Sequence, residues 1–152
     1  MSVRAGSGED RDFAVATARR FAAFGPPPWR SSMEVVEGEV RCLDDYFDGR
    51  MPGCELLIAE RDGERVGFAF LEPHVDYFTQ HTYAHLGMIA VAEAAEGSGA
   101  AAMLLEAAER WARDRGYATL TLNVFEGNGR ARRFYEKSGF RVETVRYTKA
   151  LS

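Results

Sequence analysis

The fold is most clearly indicated by the run Ile89-Ala-Val-Ala-Glu-Ala-Ala-Glu-Gly-Ser-Gly-Ala-Ala-Ala-Met-Leu-Leu105. An apolar segment ends at Val91, a glycine-containing turn follows, and an apolar periodicity of three to four residues begins near Ser98. This pattern predicts a strand, a tight turn and a helix in succession. Because the first amides of a helix lack partners within it and carry positive potential, the turn predicts a site for phosphate or pyrophosphate.

The turn alone leaves three interpretations open. The first is an ordinary loop that caps a helix. The second is a dinucleotide site, because Gly97-x-Gly99-x-x-Ala102 meets the loose form of that fingerprint. Its late position in the chain and the lack of an acidic residue about 20 positions downstream disfavour this second interpretation. The third is a site for the pyrophosphate of coenzyme A (CoA), which the downstream sequence favours.

That downstream sequence is the run Asn123-Val-Phe-Glu-Gly-Asn-Gly-Arg-Ala-Arg-Arg-Phe-Tyr-Glu-Lys-Ser-Gly-Phe140. Its residues 128–140 carry the pattern Asn-x-x-Ala-x-x-Phe-Tyr-Glu-Lys-x-Gly-Phe. Together with the strand, turn and helix upstream, this pattern resembles the GNAT superfamily of acetyl-CoA-dependent N-acyltransferases. The resemblance implies transfer of an acetyl group from acetyl-CoA to a primary amine of a small molecule or peptide, by direct attack in a ternary complex.

The resemblance also implies a cofactor site. Amides of the turn would hold the pyrophosphate, and the splayed end of the preceding strand would pair with the pantetheine arm and polarise the thioester carbonyl. The asparagine that opens the last helix and an arginine of that helix would contact the cofactor. The set comprises Gly97, Ser98, Gly99, Ala100 and Ala101 in the turn, Ile89 and Val91 in the strand, and Asn128 and Arg133 in the helix.

The turn departs from the family pattern at its first position, where Glu96 replaces the usual Gln or Arg. A carboxylate beside a pyrophosphate is unfavourable unless it points into solvent or pairs with a cation. We expect Arg130, Arg132 or Arg133 either to compensate Glu96 or to meet the 3′-phosphate of CoA. The alternative for these arginines is a solvated helix face.

For catalysis, the resemblance assigns Tyr135 as the acid that protonates the departing thiolate; a core aromatic beside Phe134 is the alternative. Many family members carry the base as a carboxylate on the strand before the turn, but residues 86–89 contain no acid. Glu72 and His74, at the end of the preceding strand, are candidates, and Glu72 is the first choice. His85 is the second, because it shares strand parity with Ile89 and its ordinary pKa suits proton transfer. A surface carboxylate and a partly buried histidine are the alternatives.

The predicted order of elements is strand, two helices, three strands, helix, strand, helix and a final strand or strand pair over Phe140–Leu151. The other predicted strands are Ser2–Ala5, Glu55–Glu60, Arg65–Leu71, Thr82–Val91 and Ala118–Phe125, and the helices start near Asp10, Ser32, Ser98 and Asn128. This order predicts one mixed α/β domain spanning residues 1–152. The resemblance implies a central, mostly antiparallel sheet of about six to seven strands, flanked by helices, whose splayed strand pair binds acyl-CoA.

Composition limits the partners. The net charge of −4 argues against a nucleic-acid binder, and no apolar stretch has the length of a membrane span. The two cysteines, Cys42 and Cys54, are too few for a disulfide scaffold and predict a cytoplasmic protein. No metal site is predicted, because His81 and His85 lie roughly 13 Å apart if both are on one strand.

Charge is unevenly distributed along the chain. Residues 34–48 hold six acidic residues and one arginine, whereas residues 110–149 hold ten of the nineteen basic residues. Within the acidic segment, Asp44, Asp45 and Asp48 are candidates to attract a cationic amine. The resemblance also allows a homodimer through the last strands. The alternative function is a non-catalytic acyl-CoA-binding regulatory module, suggested by Glu96 and by the missing strand carboxylate.

Overall fold

The computed structural model describes residues 1–152 as five strands and four α-helices. The strands are β1 (Ser2–Ala5), β2 (Glu55–Arg61), β3 (Glu64–Val75), β4 (Thr82–Val91) and β5 (Leu120–Leu122). The helices are α1 (Arg11–Ala18), α2 (Ser32–Phe47), α3 (Ala100–Asp114) and α4 (Gly129–Lys137). Short 3-10 segments occupy Gly8–Asp10, Arg19–Ala23 and Glu93–Ala95. No helix is both long and apolar enough to cross a membrane.

The strands form one sheet in the order β1-β2-β3-β4-β5. Three of the four pairings are antiparallel, and only β4 and β5 run parallel. Asp62 and Gly63 close the β2–β3 hairpin with positive φ angles of 53° and 79°, the conformation that favours Asp-Gly at this position. The predicted mixed α/β class, the mostly antiparallel sheet and this hairpin are therefore confirmed.

The predicted strand count is wrong, because the sheet has five strands rather than six or seven. Residues 141–152 are exposed and form no strand, with Tyr147 92% exposed, and β5 covers only Leu120–Leu122 instead of Ala118–Phe125. The β-branched residues of this last segment favour an extended backbone. A strand also requires a hydrogen-bonded neighbour, and no segment pairs with the outer edge of β5.

Two apolar layers cover the sheet. On one face, α3 packs Leu104, Leu105 and Trp111 against residues of β2, β3 and β4. On the other face, α1 and α2 contribute Ala14, Ala18 and Leu43; the strand residues of this layer are Leu56, Ile58, Phe68, Phe70, Met88 and Ala90. Neighbouring residues of β2 alternate between the layers, as the pleat of a strand requires.

A bulge interrupts the pairing of β3 with β4. Phe70 lies opposite Met88, but the next residue of β3, Leu71, lies opposite Leu86, so Gly87 is the extra residue. The bulge changes which residues of β4 face each side of the sheet: even-numbered residues before Gly87 and odd-numbered residues after it face α3. Leu86 and Ile89 both pack on the α3 layer although they are an odd number of residues apart. The predicted shared face of His85 and Ile89 is therefore wrong, since alternation from Leu86 places His85 on the α2 side.

β4 leaves β5 soon after their pairing begins. The two strands pair only from Ala84 to Leu86, whereas β4 remains paired with β3 as far as Val91. The Ala92 amide donates to the Val66 carbonyl. Because bonded residues alternate along an antiparallel pair, the backbone groups of Ile89 and Val91 point away from β3 and into the β4–β5 gap. The structure thus has the splayed strand pair that the sequence predicted.

A buried carboxylate joins the N-terminal segment to the sheet. Asp10 is 0% exposed and accepts hydrogen bonds from Arg4 at 2.8 and 2.9 Å, from Arg65 at 2.6 Å and from the Ser7 amide at 2.8 Å. The guanidinium groups, Arg4 first, hold the pKa of Asp10 well below its usual range. Asp10 therefore connects β1 to β3 through one ionised group.

We predict that Asp10→Asn lowers the free energy of unfolding by about 3 kcal/mol at pH 7, because it leaves two guanidinium groups facing a neutral side chain. Asp12→Asn, an exposed neighbour with no ion pair, is the control. A carboxylate whose pKa is depressed on folding stabilises the protein above its unfolded pKa of about 4, and this contribution decreases below that pH. Urea titrations at pH 7 and pH 3 should therefore show a smaller difference between wild type and Asp10→Asn at pH 3.

Candidate active site

The glycine turn after β4 adopts a conformation that requires its glycines. Gly97 and Gly99 have φ angles of 74° and 89°, in the left-handed region, and Gly99 is the N-cap of α3. No atom lies within 4 Å of where a Cβ would stand at either position. The turn is therefore tightly curved and open on the side that these glycines leave bare.

Several amides of this turn have no partner in the chain. The Ser98 amide donates to Ala95, and the Ala100 amide donates weakly to the Ser98 hydroxyl at 3.4 Å. No acceptor within the chain faces the other amides at the start of the helix, which belong to Gly97, Gly99, Ala101 and Ala102. Unpaired amides at the start of a helix suit the pyrophosphate of CoA.

Glu96, at the start of the turn, is neutralised by a residue that the sequence did not indicate. Arg20, in the 3-10 segment after α1, donates one nitrogen to the Glu96 carboxylate and another to the Val91 carbonyl. The Arg20 hydrogen bond, with a smaller contribution from the charge of Arg130, lowers the pKa of Glu96. Arg20 and Glu96 are 76 residues apart in sequence, so no local pattern could have identified the pair.

The other arginines of α4 have different contacts. Arg132 donates to the Glu126 carbonyl at 3.1 Å. Arg133 is exposed and folds back over its own helix, with Nη1 3.1 Å from the Cβ position of Gly129. Of the three arginines expected to compensate Glu96, only Arg130 therefore acts on it, and it does so through charge alone.

Asn128 is the N-cap of α4, and Tyr135 lies within this helix, as predicted. The Asn128 side-chain oxygen caps the helix by accepting from the Ala131 amide at 3.3 Å. The ring of Tyr135 packs against Phe134 and Phe140, with centroids 5.4 and 5.9 Å away, and its hydroxyl makes no hydrogen bond within the chain. Burial raises the pKa of Tyr135 to about 12, so the hydroxyl keeps its proton at neutral pH.

Glu72 extends from β3 across to β4. Its Oε2 atom occupies the space that a side chain at Gly87 would fill. β4 carries no acidic residue of its own in this region, and the Glu72 carboxylate lies over the strand just before its backbone enters the β4–β5 gap. The bulge glycine therefore makes room for a carboxylate supplied by the neighbouring strand.

Two histidines extend the site from Glu72 towards β5. His74 Nε2 lies 3.5 Å from Glu72 Oε1, and its ring stacks on His85 with centroids 4.6 Å apart. His85 Nδ1 lies 2.8 Å from the Thr121 hydroxyl of β5. Burial and then the charge of His74 lower the pKa of His85, so its neutral form predominates at pH 7. The structure thus brings together Glu72, His74 and His85, the three candidate bases.

Sequence reasoning missed Glu39 on α2. Burial, and then the nearby charge of Glu72, raise the pKa of Glu39 to about 7. Glu39 stands three residues after buried Val36 and four before buried Leu43, so it interrupts the apolar stripe of the helix. A carboxylate within a buried stripe was the signal that could have identified it.

Other acidic residues of α2 are already paired. Asp44 and Asp48 accept from Arg11 at 2.8 and 3.3 Å, and Asp45 accepts from Arg50 at 3.2 Å. These carboxylates form surface ion pairs with arginines, and their role in attracting a cationic amine stays a prediction.

The two cysteines lie close to the same carboxyl groups. Burial, followed by the charges of Glu72 and Glu39, raises the pKa of Cys42 to about 12, and burial and Glu72 raise that of Cys54. Both are free thiols. No group of three or more His, Cys, Asp or Glu side chains has a metal-binding arrangement.

A family model described as Acetyltransferase (GNAT) family matches residues 19–140. The chain belongs to the GNAT acetyltransferase family. It is 34% identical over 134 residues to a mycothiol acetyltransferase of Stackebrandtia nassauensis, a match that covers 86% of this chain and 42% of the relative. It is also 34% identical over 140 residues to an uncharacterized N-acetyltransferase of Mycobacterium bovis, covering 89% and 85% of the two chains. This GNAT chain thus spans less than half of the mycothiol acetyltransferase.

Solved structures share the fold of this GNAT protein. A ribosomal-protein-alanine N-acetyltransferase from Brucella melitensis superposes with a TM-score of 0.72 at 19% identity, over 99% of this chain and 100% of the other. An aminoglycoside N-acetyltransferase in complex with CoA superposes with a TM-score of 0.75 at 17% identity, over 98% and 93%. The two structures show the fold of this chain, and the family model shows the family to which it belongs.

We predict that Glu72→Gln lowers the pKa of His85 further, because the negative charge of Glu72 favours the protonated imidazole. Gly87→Ala should act in the same direction, since its methyl group displaces the Glu72 carboxylate. Proton titration of the three histidines by NMR measures both effects. His81, which is exposed, is the internal control. An unchanged His85 pKa in both variants would contradict the arrangement of this site.

Proposed function

We propose that this protein transfers an acetyl group from acetyl-CoA to a primary amine of a small molecule or peptide, by direct attack in a ternary complex. The position of Glu72 carries the proposal. A carboxylate lies over β4 at Gly87, two residues before the strand's backbone groups enter the gap. A base at this place suits an amine that approaches a thioester held along Ile89 and Val91.

The cofactor fits the residues that surround the β4–β5 gap. The unpaired amides of Gly97, Gly99 and Ala101 would hold the pyrophosphate, and the backbone groups of Ile89 and Val91, which point into the gap, would pair with the pantetheine arm. Bound acetyl-CoA supplies the thioester that is attacked. The remaining proposed contacts are Ser98, Ala100, Asn128 and Arg133. Ser98 shapes the turn by accepting from the Ala100 amide. The side-chain N–H groups of Asn128 make no hydrogen bond within the chain and are available to the cofactor.

Proton transfer requires a base and an acid. An acceptor amine is mostly protonated at neutral pH, so it must lose a proton before its nitrogen attacks. Glu72 takes this proton, directly or through a water molecule, with neutral His85 as the neighbouring acceptor. Tyr135, whose raised pKa keeps its hydroxyl protonated, donates a proton to the departing sulfur.

The carboxyl pair formed by Glu39 and Glu72 supports a cationic acceptor. The charge of Glu72 opposes ionisation of Glu39, and a bound ammonium group relieves that repulsion. Because the pKa of Glu39 is about 7, its charge decreases as the pH falls below 7. We therefore expect the KM for the amine to rise below pH 7, and Glu39→Gln to remove most of this rise.

The cysteines support direct transfer over an acyl-cysteine intermediate. The thiolate is the nucleophilic form of cysteine, and the pKa of Cys42, about 12, leaves almost none at neutral pH. The pKa of Cys54 is also raised. Attack by the amine nitrogen on the thioester therefore requires no covalent step on the protein.

The first test is cofactor binding. We predict that acetyl-CoA and CoA raise the melting temperature of the protein, because each binds only the folded state, and that NAD does not. The dinucleotide is the matched control, since it also carries a pyrophosphate and an adenosine. If neither CoA species shifts the melting temperature, the proposed cofactor site is wrong.

The second test is turnover with a panel of amines, followed by thiol release. The panel holds polyamines, aminoglycosides, peptides with free N-termini or lysines, and the form of mycothiol that lacks its acetyl group. We predict that Tyr135→Phe lowers kcat by about 100-fold with the Kd for CoA unchanged, and that Glu72→Gln lowers it by a similar factor.

Tyr147→Phe is the control for Tyr135→Phe, since Tyr147 is exposed and lies in the C-terminal segment, residues 141–152. Turnover by Tyr135→Phe at the wild-type rate would exclude Tyr135 as the acid. Binding of CoA without acetyl transfer to any amine of the panel would favour a regulatory module instead.

A further inference from the structure

We propose that Arg20 belongs to the acyl-CoA site, where it neutralises Glu96 beside the pyrophosphate and releases the Val91 carbonyl when the pantetheine arm enters. This inference rests on the proposed function. It extends the cofactor site to a residue that lies 71 positions before Val91 in the sequence.

Arg20 lies outside both sequence runs that indicated the site. It stands in the 3-10 segment that follows α1, and its side chain is 24% exposed. Two nitrogens of its guanidinium reach two different elements, one the Val91 carbonyl at the end of β4 and the other the Glu96 carboxylate of the turn. The guanidinium also lies over the ring of Phe24, 5.8 Å from its centroid. Arg20 therefore bridges the strand and the turn of the proposed cofactor site.

The contact with Val91 places Arg20 in the path of the pantetheine arm. The Val91 backbone points into the β4–β5 gap, where no strand pairs with it. A guanidinium on this carbonyl occupies the end of the gap nearest to the turn. The arm must displace this contact if it is to pair with Val91.

The contact with Glu96 explains how the turn accepts an anion. Glu96 directly precedes the unpaired amides, so its charge opposes a bound pyrophosphate unless a cation balances it. Among the α4 arginines, Arg132 bonds to Glu126 and Arg133 folds over its own helix. Arg20 is the cation in direct contact with Glu96. After it leaves Val91, Arg20 remains on Glu96 and faces the pyrophosphate.

A double-mutant cycle on the full chain tests this role, with CoA affinity measured by calorimetry. We expect Arg20→Ala to weaken CoA binding by at least about tenfold, because Glu96 is then uncompensated. Glu96→Gln should bind CoA at least as tightly as wild type, and Arg20→Ala/Glu96→Gln should recover most of the loss. Arg19→Ala is the matched control, since Arg19 is an exposed neighbour without an ion pair.

S-acetylpantetheine, which lacks the pyrophosphate, separates the two contacts. Arg20→Ala should bind it no more weakly than wild type does, because the Val91 carbonyl is free and no phosphate needs a counter-charge. Equal weakening of CoA and S-acetylpantetheine, or no recovery in the double variant, would show that Arg20 only supports the fold. If Arg20→Ala does not fold, Arg20→Gln removes the charge and keeps a hydrogen-bond donor.

The outcomes also separate this inference from the proposed function. Wild-type protein that binds neither CoA nor acetyl-CoA overturns both. Wild-type protein that binds CoA, together with an Arg20→Ala variant of equal affinity, overturns the assignment of Arg20 and leaves the proposed function intact.

Discussion

The divergence of β4 from β5 is the constraint on which the rest of the site depends. β4 stays bonded to β3 up to Val91 but pairs with β5 over three residues only. The gap that results leaves backbone groups without partners, and unpaired backbone groups in a sheet favour a ligand that can bond to them. The turn that follows β4 adds unpaired amides at the start of α3. The two sets of free groups lie end to end along one path.

The elements of the fold could be predicted because each has a local signal. The Asp62-Gly63 hairpin, the capping of α2 by Ser31 and the apolar stripe of α3 all appear in short windows of sequence. The last strand could not be predicted from such a window. Its residues have the right composition, but a strand exists only where a neighbour offers hydrogen bonds, and that neighbour is set by the tertiary structure.

The site was harder to predict than the fold because its decisive contacts join distant residues. The sequence indicated the turn and Tyr135 through motifs, and it indicated Glu72 only as a carboxylate at a strand end. The bulge at Gly87 is what brings Glu72 over β4, and it also separates His85 from the face of Ile89. The Arg20–Glu96 pair spans 76 residues, so the motif that contains Glu96 gave no sign of its partner.

The reactivity of Cys42 and Cys54 reports the charge around Glu72. They are its only cysteines, and the charge of Glu72 contributes to the raised pKa of both thiols. A cation that binds beside Glu72 stabilises the thiolate forms and so accelerates alkylation by a reagent such as iodoacetamide. The rate of labelling therefore reports the charge around Glu72 in the native sequence, without an introduced fluorophore.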